Sequence, residues 1–108
     1  MKKIIAIILL FSLLILSSCT SKQEIPSEDT LNVNIENFAF SPSTIKIKAG
    51  ETVTWVNNDN APHTVTGNEF DSGTLNKNQE YKHIFSQPGT YEYICNFHTS
   101  MKGTVIVE

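Results

Sequence analysis

The chain has 108 residues, with 8 lysines and no arginine against 11 aspartates and glutamates, for a formal net charge of −3. So few cations leave no face able to neutralise phosphates, which excludes nucleic acid as a partner. The length admits one small domain, and two cysteines are the only candidates for stapling it.

The N-terminus reads as an address and not as part of the fold. Lys2 and Lys3 precede Ile4 to Leu16, a thirteen-residue apolar run interrupted only by Ser12, the pattern of a secretory signal peptide. A membrane-spanning helix needs about 20 such residues, which argues against a permanent span. The run closes on Leu16-Ser17-Ser18-Cys19, which resembles a bacterial lipobox. That resemblance implies a signal peptide over 1–18 and a diacylated Cys19 as the first mature residue. It places the protein on the outer side of the cytoplasmic membrane or in the periplasm. Two acyl chains hold a protein stably, each buried CH2 contributing about 0.8 kcal/mol. Without residues 1–18, 6 lysines face 11 carboxylates, a charge of −5 that favours solubility and steering toward a basic partner. Residues 20–30 hold a single isoleucine among Ser, Lys, Gln, Glu, Pro and Asp, so 19–30 is expected to be a lipidated flexible tether. Extended, it reaches about 35 Å.

From Leu31 the pattern turns to period two. Leu31, Val33 and Ile35 alternate with Asn32, Asn34 and Glu36, which predicts a half-buried strand. After Phe38, Phe40 and the Ser41-Pro42-Ser43 break, Ile45 and Ile47 alternate with Lys46 and Lys48 in a second strand. A turn at Ala49-Gly50-Glu51 leads into a third strand over Thr52–Val56, with Trp55 in or near the core. Asn57 to Pro62 is a cluster of turn formers, and a short fourth strand is expected over His63–Thr66. Gly67 to Asn78 reads as a long irregular connection. Further strands are expected over Gln79–Phe85, Thr90–Cys95 and Gly103–Val107. No helical stripe longer than two turns follows residue 30, so residues 31–108 form an all-β sandwich.

The chemistry gathers in the last strand–loop–strand. Cys95, His98 and Met101 place a thiolate, an imidazole and a thioether within seven residues, between two strands that hold them. A thiolate, two imidazoles and a weak axial thioether make the ligand set of a blue-copper electron-transfer site, and His63 is the natural second imidazole. Zinc also takes Cys and His, but its structural sites usually bring paired ligands and no thioether. The two cysteines thus divide their tasks, lipid for Cys19 and metal for Cys95, and no disulfide is expected. His83, on the strand face of Tyr81 and Phe85, reads as a partly buried structural histidine.

The segments Gly50–Asn57, Asp59, His63-Thr64-Val65, Pro88–Cys95, His98, Met101 and Gly103–Val107 together resemble the cupredoxin family, in particular its amicyanin/plastocyanin-like small blue-copper proteins. The likeness spans about residues 31–108, and Cys-x2-His-x2-Met is the short-loop form. It implies a Greek-key β-sandwich of about seven or eight strands and one copper per chain held by His63, Cys95, His98 and Met101. It also implies a monomeric electron carrier without catalysis, its donor and acceptor being redox proteins. The His98 edge, with Pro62 and Phe97 beside it, is then the apolar surface where partners dock. Relatives commonly have Asn after the first histidine, helping to tie the ligand loops together; this chain has Thr64, whose hydroxyl is the substitute. The residue after the cysteine, Asn96, is expected to donate its backbone N–H near the sulfur. A module that stores or delivers copper through the same ligands is the alternative, although the chain has no Met- or His-rich arm. A metal-free adhesion domain is disfavoured by the complete ligand set.

Overall fold

A computed structural model describes residues 31–108; the segments assigned above to the signal peptide, Cys19 and the tether lie outside the described residues. Eight strands follow in order: β1 (Asn32–Glu36), β2 (Ala39–Ser41), β3 (Thr44–Ile47), β4 (Glu51–Asn57), β5 (Thr66–Gly67), β6 (Glu80–Phe85), β7 (Gly89–Ile94) and β8 (Lys102–Val107). They form two four-stranded sheets, ordered β2-β1-β4-β6 and β3-β8-β7-β5. Both are mixed, because β1 lies parallel to β4 and β3 parallel to β8. Only β1–β2 and β7–β8 join sequence neighbours within one sheet; every other connection crosses to the opposite sheet. The expected β-sandwich is therefore the architecture observed.

Alternation decides which face each strand buries. Val33 and Ile35 of β1, Ile45 and Ile47 of β3, Val53 and Trp55 of β4, and Val105 and Val107 of β8 all point between the sheets. Lys46 and Lys48 stay outside. Fully burying one such aliphatic or aromatic side chain contributes about 1.5–3 kcal/mol. Trp55 is the centre of this layer, with ring centroids 5.4 Å from Tyr93, 6.0 Å from Phe70 and 6.4 Å from Phe85. Phe40 reaches Tyr93 from β2 at 4.7 Å. His83 is packed rather than free, stacked on Phe70 at 5.0 Å and edge-on to Phe85 at 4.7 Å.

Two local differences from the sequence reading have physical causes. Ala39–Ser41 is a strand, pairing Ile35 with Phe40 in a hairpin, although its three residues are too few to show a period. The fourth strand is Thr66–Gly67, shorter and later than His63–Thr66. Over His63–Val65 the ladder is replaced by other partners. His63 makes a single bridge with Leu75, Thr64 N–H points at the Cys95 sulfur, and Val65 N–H donates to Ser72 Oγ.

Candidate metal centre

The β7–β8 hairpin does not turn tightly; it opens into a seven-residue loop from Cys95 to Met101 just beyond the last ladder pair, Ile94 and Lys102. Three backbone bonds close that loop. Cys95 N–H donates to Met101 C=O at 3.1 Å, His98 N–H to Cys95 C=O at 3.2 Å and Met101 N–H to His98 C=O at 2.9 Å. The loop is thus a compact turn with Cys95 and Met101 buried at its base and His98 half-exposed at its tip.

His63 arrives from the opposite direction on the Asn57–Pro62 loop. Asn57 is wholly buried and organises this segment, donating from Nδ2 to Ala61 C=O and Leu75 C=O and accepting Asp59 N–H on Oδ1. The His63 backbone exchanges both of its hydrogen bonds with Leu75, at 3.1 and 2.7 Å. The imidazole is consequently fixed at both ends. Nε2 lies 2.8 Å from Asp59 Oδ2, and with that nitrogen donating, the lone pair of Nδ1 faces the cysteine.

The donors converge. Cys95 Sγ is 3.7 Å from His63 Nδ1 and 3.8 Å from His98 Nδ1, and the three ligand atoms lie within 4.8 Å of one another. A metal with bonds of about 2.0–2.3 Å to nitrogen and sulfur in a near-trigonal arrangement sets S and N about 3.7 Å apart, so the pocket fits such an ion. His63, Cys95, His98 and Met101 form one site, and a thiolate, two imidazoles and a thioether suit type 1 copper.

The residues around the donors differ in part from expectation. Thr64 ties the two ligand loops together with both of its polar groups. Its N–H points at Cys95 Sγ at 3.4 Å, and its Oγ1 accepts Asn96 N–H at 2.8 Å. Asn96 N–H therefore does not go to the sulfur; the hydroxyl of Thr64 takes it, and the sulfur receives Thr64 N–H instead. Asp59 is the residue whose part sequence reasoning missed. Its carboxylate accepts Asn37 N–H at 2.8 Å and Phe38 N–H at 3.0 Å besides meeting His63. Burial pushes that carboxyl up, but the bonds from Phe38, His63 and Asn37 together with the electrostatic pull of the His63 ring outweigh it and hold it below the usual carboxylate range. Phe38 was also missed. Phe38 is 52 % exposed and its ring packs edge-on against His98, while Phe97, the residue before His98, is 51 % exposed and Pro62 is exposed next to His63.

Comparison with known proteins bears on the fold and on the kind of site. The family described as "Cupredoxin-like domain" matches residues 6–107. The chain belongs to the cupredoxin-like family. Amicyanin-alpha of Methylorubrum extorquens is 42 % identical over 96 residues, covering 80 % of this chain and 77 % of that protein. A plastocyanin of Scenedesmus fuscus is 42 % identical over 84 residues, covering 64 % of this chain and 86 % of that one. Among solved structures, a Cu(I) form of an amicyanin variant superposes with a TM-score of 0.69 at 32 % identity, covering 73 % of this chain and 82 % of that chain. A purple cupredoxin from Nitrosopumilus maritimus gives 0.68 at 30 % identity, over 71 % of this chain and 98 % of that chain. This chain is thus a cupredoxin of the small blue-copper kind in fold and site.

Proposed function

We propose that this cupredoxin is an extracytoplasmic electron carrier, tethered to the membrane through a lipidated Cys19, which holds one copper ion on His63, Cys95, His98 and Met101. The observation that carries the reading is the near-equal spacing of the Cys95 sulfur from two imidazole nitrogens, 3.7 and 3.8 Å, on loops braced from both sides. Copper in such a site supplies a one-electron couple between Cu(II) and Cu(I), the mixed soft and nitrogen donors serving both states.

The chain's own residues keep the geometry constant while the charge changes. The backbone bonds of the Cys95–Met101 loop fix three of the donors relative to one another. Thr64 N–H supports the thiolate, and Asp59 orients His63. Cys95 and His63 are fully buried and Met101 nearly so, which keeps water from the donors, while His98 alone reaches the surface. Its edge is the exit for electrons, set among Phe38, Phe97 and Pro62, an apolar collar suited to small, short-lived contacts with redox proteins. The carrier acts as a monomer without catalysing a reaction.

The test is the visible spectrum of the protein loaded with Cu(II). An intense thiolate-to-copper absorption that bleaches reversibly with ascorbate, and disappears in Cys95→Ser, is expected. A colourless protein that takes copper only as Cu(I) would transfer the same ligands to storage or delivery. Tethering is checked separately: radiolabelled fatty acid fed to producing cells should enter the full chain and not Cys19→Ala.

A further inference from the structure

The turn joining β1 to β2 holds two consecutive residues at positive φ, Asn37 at 53° and Phe38 at 56°. With Glu36 paired to Ala39 across it, this is the two-residue hairpin turn whose central positions both require left-handed backbone. Asparagine tolerates that conformation and glycine favours it at the second position. A bulky aromatic residue there is an outlier, held only when its surroundings over-determine it.

The surroundings are the metal centre. The Asp59 carboxylate takes the N–H groups of Asn37 and Phe38 and, with the same Oδ2 that accepts Phe38 N–H, stands against His63 Nε2. The Phe38 ring then meets both imidazoles by their faces or edges at near right angles. Its centroid is 5.2 Å from His63 at 88° and 5.0 Å from His98 at 82°, both favourable aromatic geometries. His63 has Asp59 and the Leu75 bridge to hold it. His98 sits half-exposed at the loop tip, and no side-chain hydrogen bond to its ring from the described residues is present apart from the cysteine approach. Its orientation rests on packing.

We propose that Phe38 is a positioning residue for the metal centre: seated by Asp59, it clamps the His98 ring against His63 and so preorganises the two imidazoles. The strained turn is kept because the ring it projects cannot be supplied by the glycine that the backbone prefers. The proposal rests on the copper reading for its purpose, but its geometry is a property of the polypeptide alone.

Phe38→Gly is the decisive variant, since it relieves the turn while deleting the clamp and so should fold at least as well as the parent. NMR relaxation of the imidazole C–H groups, measured on copper-free protein, should show the His98 ring becoming mobile in Phe38→Gly and ordered again in Phe38→Tyr. In the loaded protein, transfer of Cu(I) to a coloured chelator should be about tenfold faster or more in Phe38→Gly, with recovery in Phe38→Tyr. A His98 ring as ordered as in the parent, with copper transfer within about twofold, would overturn the proposal and leave Phe38 as part of the apolar collar only. Should the parent itself fail to take copper, the copper reading falls, while the metal-free ring dynamics still decide whether Phe38 clamps His98.

Discussion

Thr64 joins the two halves of the site with two groups that mutation separates. Its hydroxyl accepts Asn96 N–H and also meets Thr66 Oγ1 at 2.9 Å, whereas the contact to sulfur comes from its backbone. Thr64→Val keeps the shape and the N–H but strands the Asn96 donor. Leaving such a partly buried donor unmade costs about 1–3 kcal/mol. We expect urea denaturation to report a loss in that range, with the thiolate-to-copper band hardly displaced, because the N–H that supports the sulfur remains. A large displacement of the band with unchanged stability would mean that the hydroxyl, and not the backbone, governs the sulfur. The residues that sequence reasoning found and missed divide along the same line. His63, Cys95, His98 and Met101 declare themselves by donor chemistry and spacing. Asp59 and Phe38 are a carboxylate and an aromatic in ordinary turn-rich sequence, and they acquire a role only because the β1–β2 turn folds back onto a loop 21 residues away. Asn96 was misdirected for a related reason: one hydroxyl at Thr64 competes for its N–H, and no local pattern reveals which acceptor wins.

Strand existence was legible wherever apolar and polar residues alternated over four or more positions, as in β1, β3 and β4. It failed where pairing partners came from side chains, which shortened β5, and where three residues sufficed, as in β2. The β7–β8 pair holds a feature of a different order, because Gly103 lies directly opposite Tyr93 and the phenol ring covers it. A Cβ built on Gly103 would fall 2.2 Å from Tyr93 Cζ and 2.3 Å from its hydroxyl, too close to exist without movement. The ring cannot yield easily, being wedged against Trp55 and Phe40. Gly103→Ala should therefore destabilise the protein by about 3 kcal/mol, the upper part of the usual overpacking range. Because Met101 is two residues away, copper should also be released faster. In a Tyr93→Leu background the same glycine substitution should lose most of its effect. If both backgrounds respond equally, the penalty lies in the backbone of β8 and not in the ring above it.

Across the molecule, His63 sits on the β4–β5 connection that crosses between the sheets while Cys95, His98 and Met101 lie in the β7–β8 loop of one sheet, so an ion bound there would cross-link the fold where no disulfide is present among the described residues. Stability should accordingly follow copper by mass action, with a gain of about 4 kcal/mol when free copper stands at a thousand times its dissociation constant. Calorimetry with and without a chelator measures this; an unfolding temperature indifferent to copper would mean that the ion binds the unfolded chain equally well. The core between the sheets sets a second, metal-independent limit. Burial pushes the Tyr93 phenol up to about 12, against the partial pull of the Trp55 indole N–H, and neither Tyr93 Oη nor Trp55 Nε1 closes a hydrogen bond. Folding thus favours the neutral phenol, whose ordinary value is 10.0. The resulting stability is fully present below pH 10 and is lost as pH rises from there through about 12, a contribution on the order of 3 kcal/mol. Tyr81 is also raised, first by burial and then by the Asp71 charge, and adds a slope of the same sign that does not depend on Tyr93. Removing an unpartnered buried hydroxyl sacrifices no bond, so Tyr93→Phe should match the parent near pH 7 within about 1 kcal/mol. Denaturant midpoints of copper-free protein taken at intervals from pH 8 to about 12 should then separate the two, the parent falling more steeply above pH 10. Parallel curves would mean that the native core admits the phenolate, through water or a local opening around Trp55.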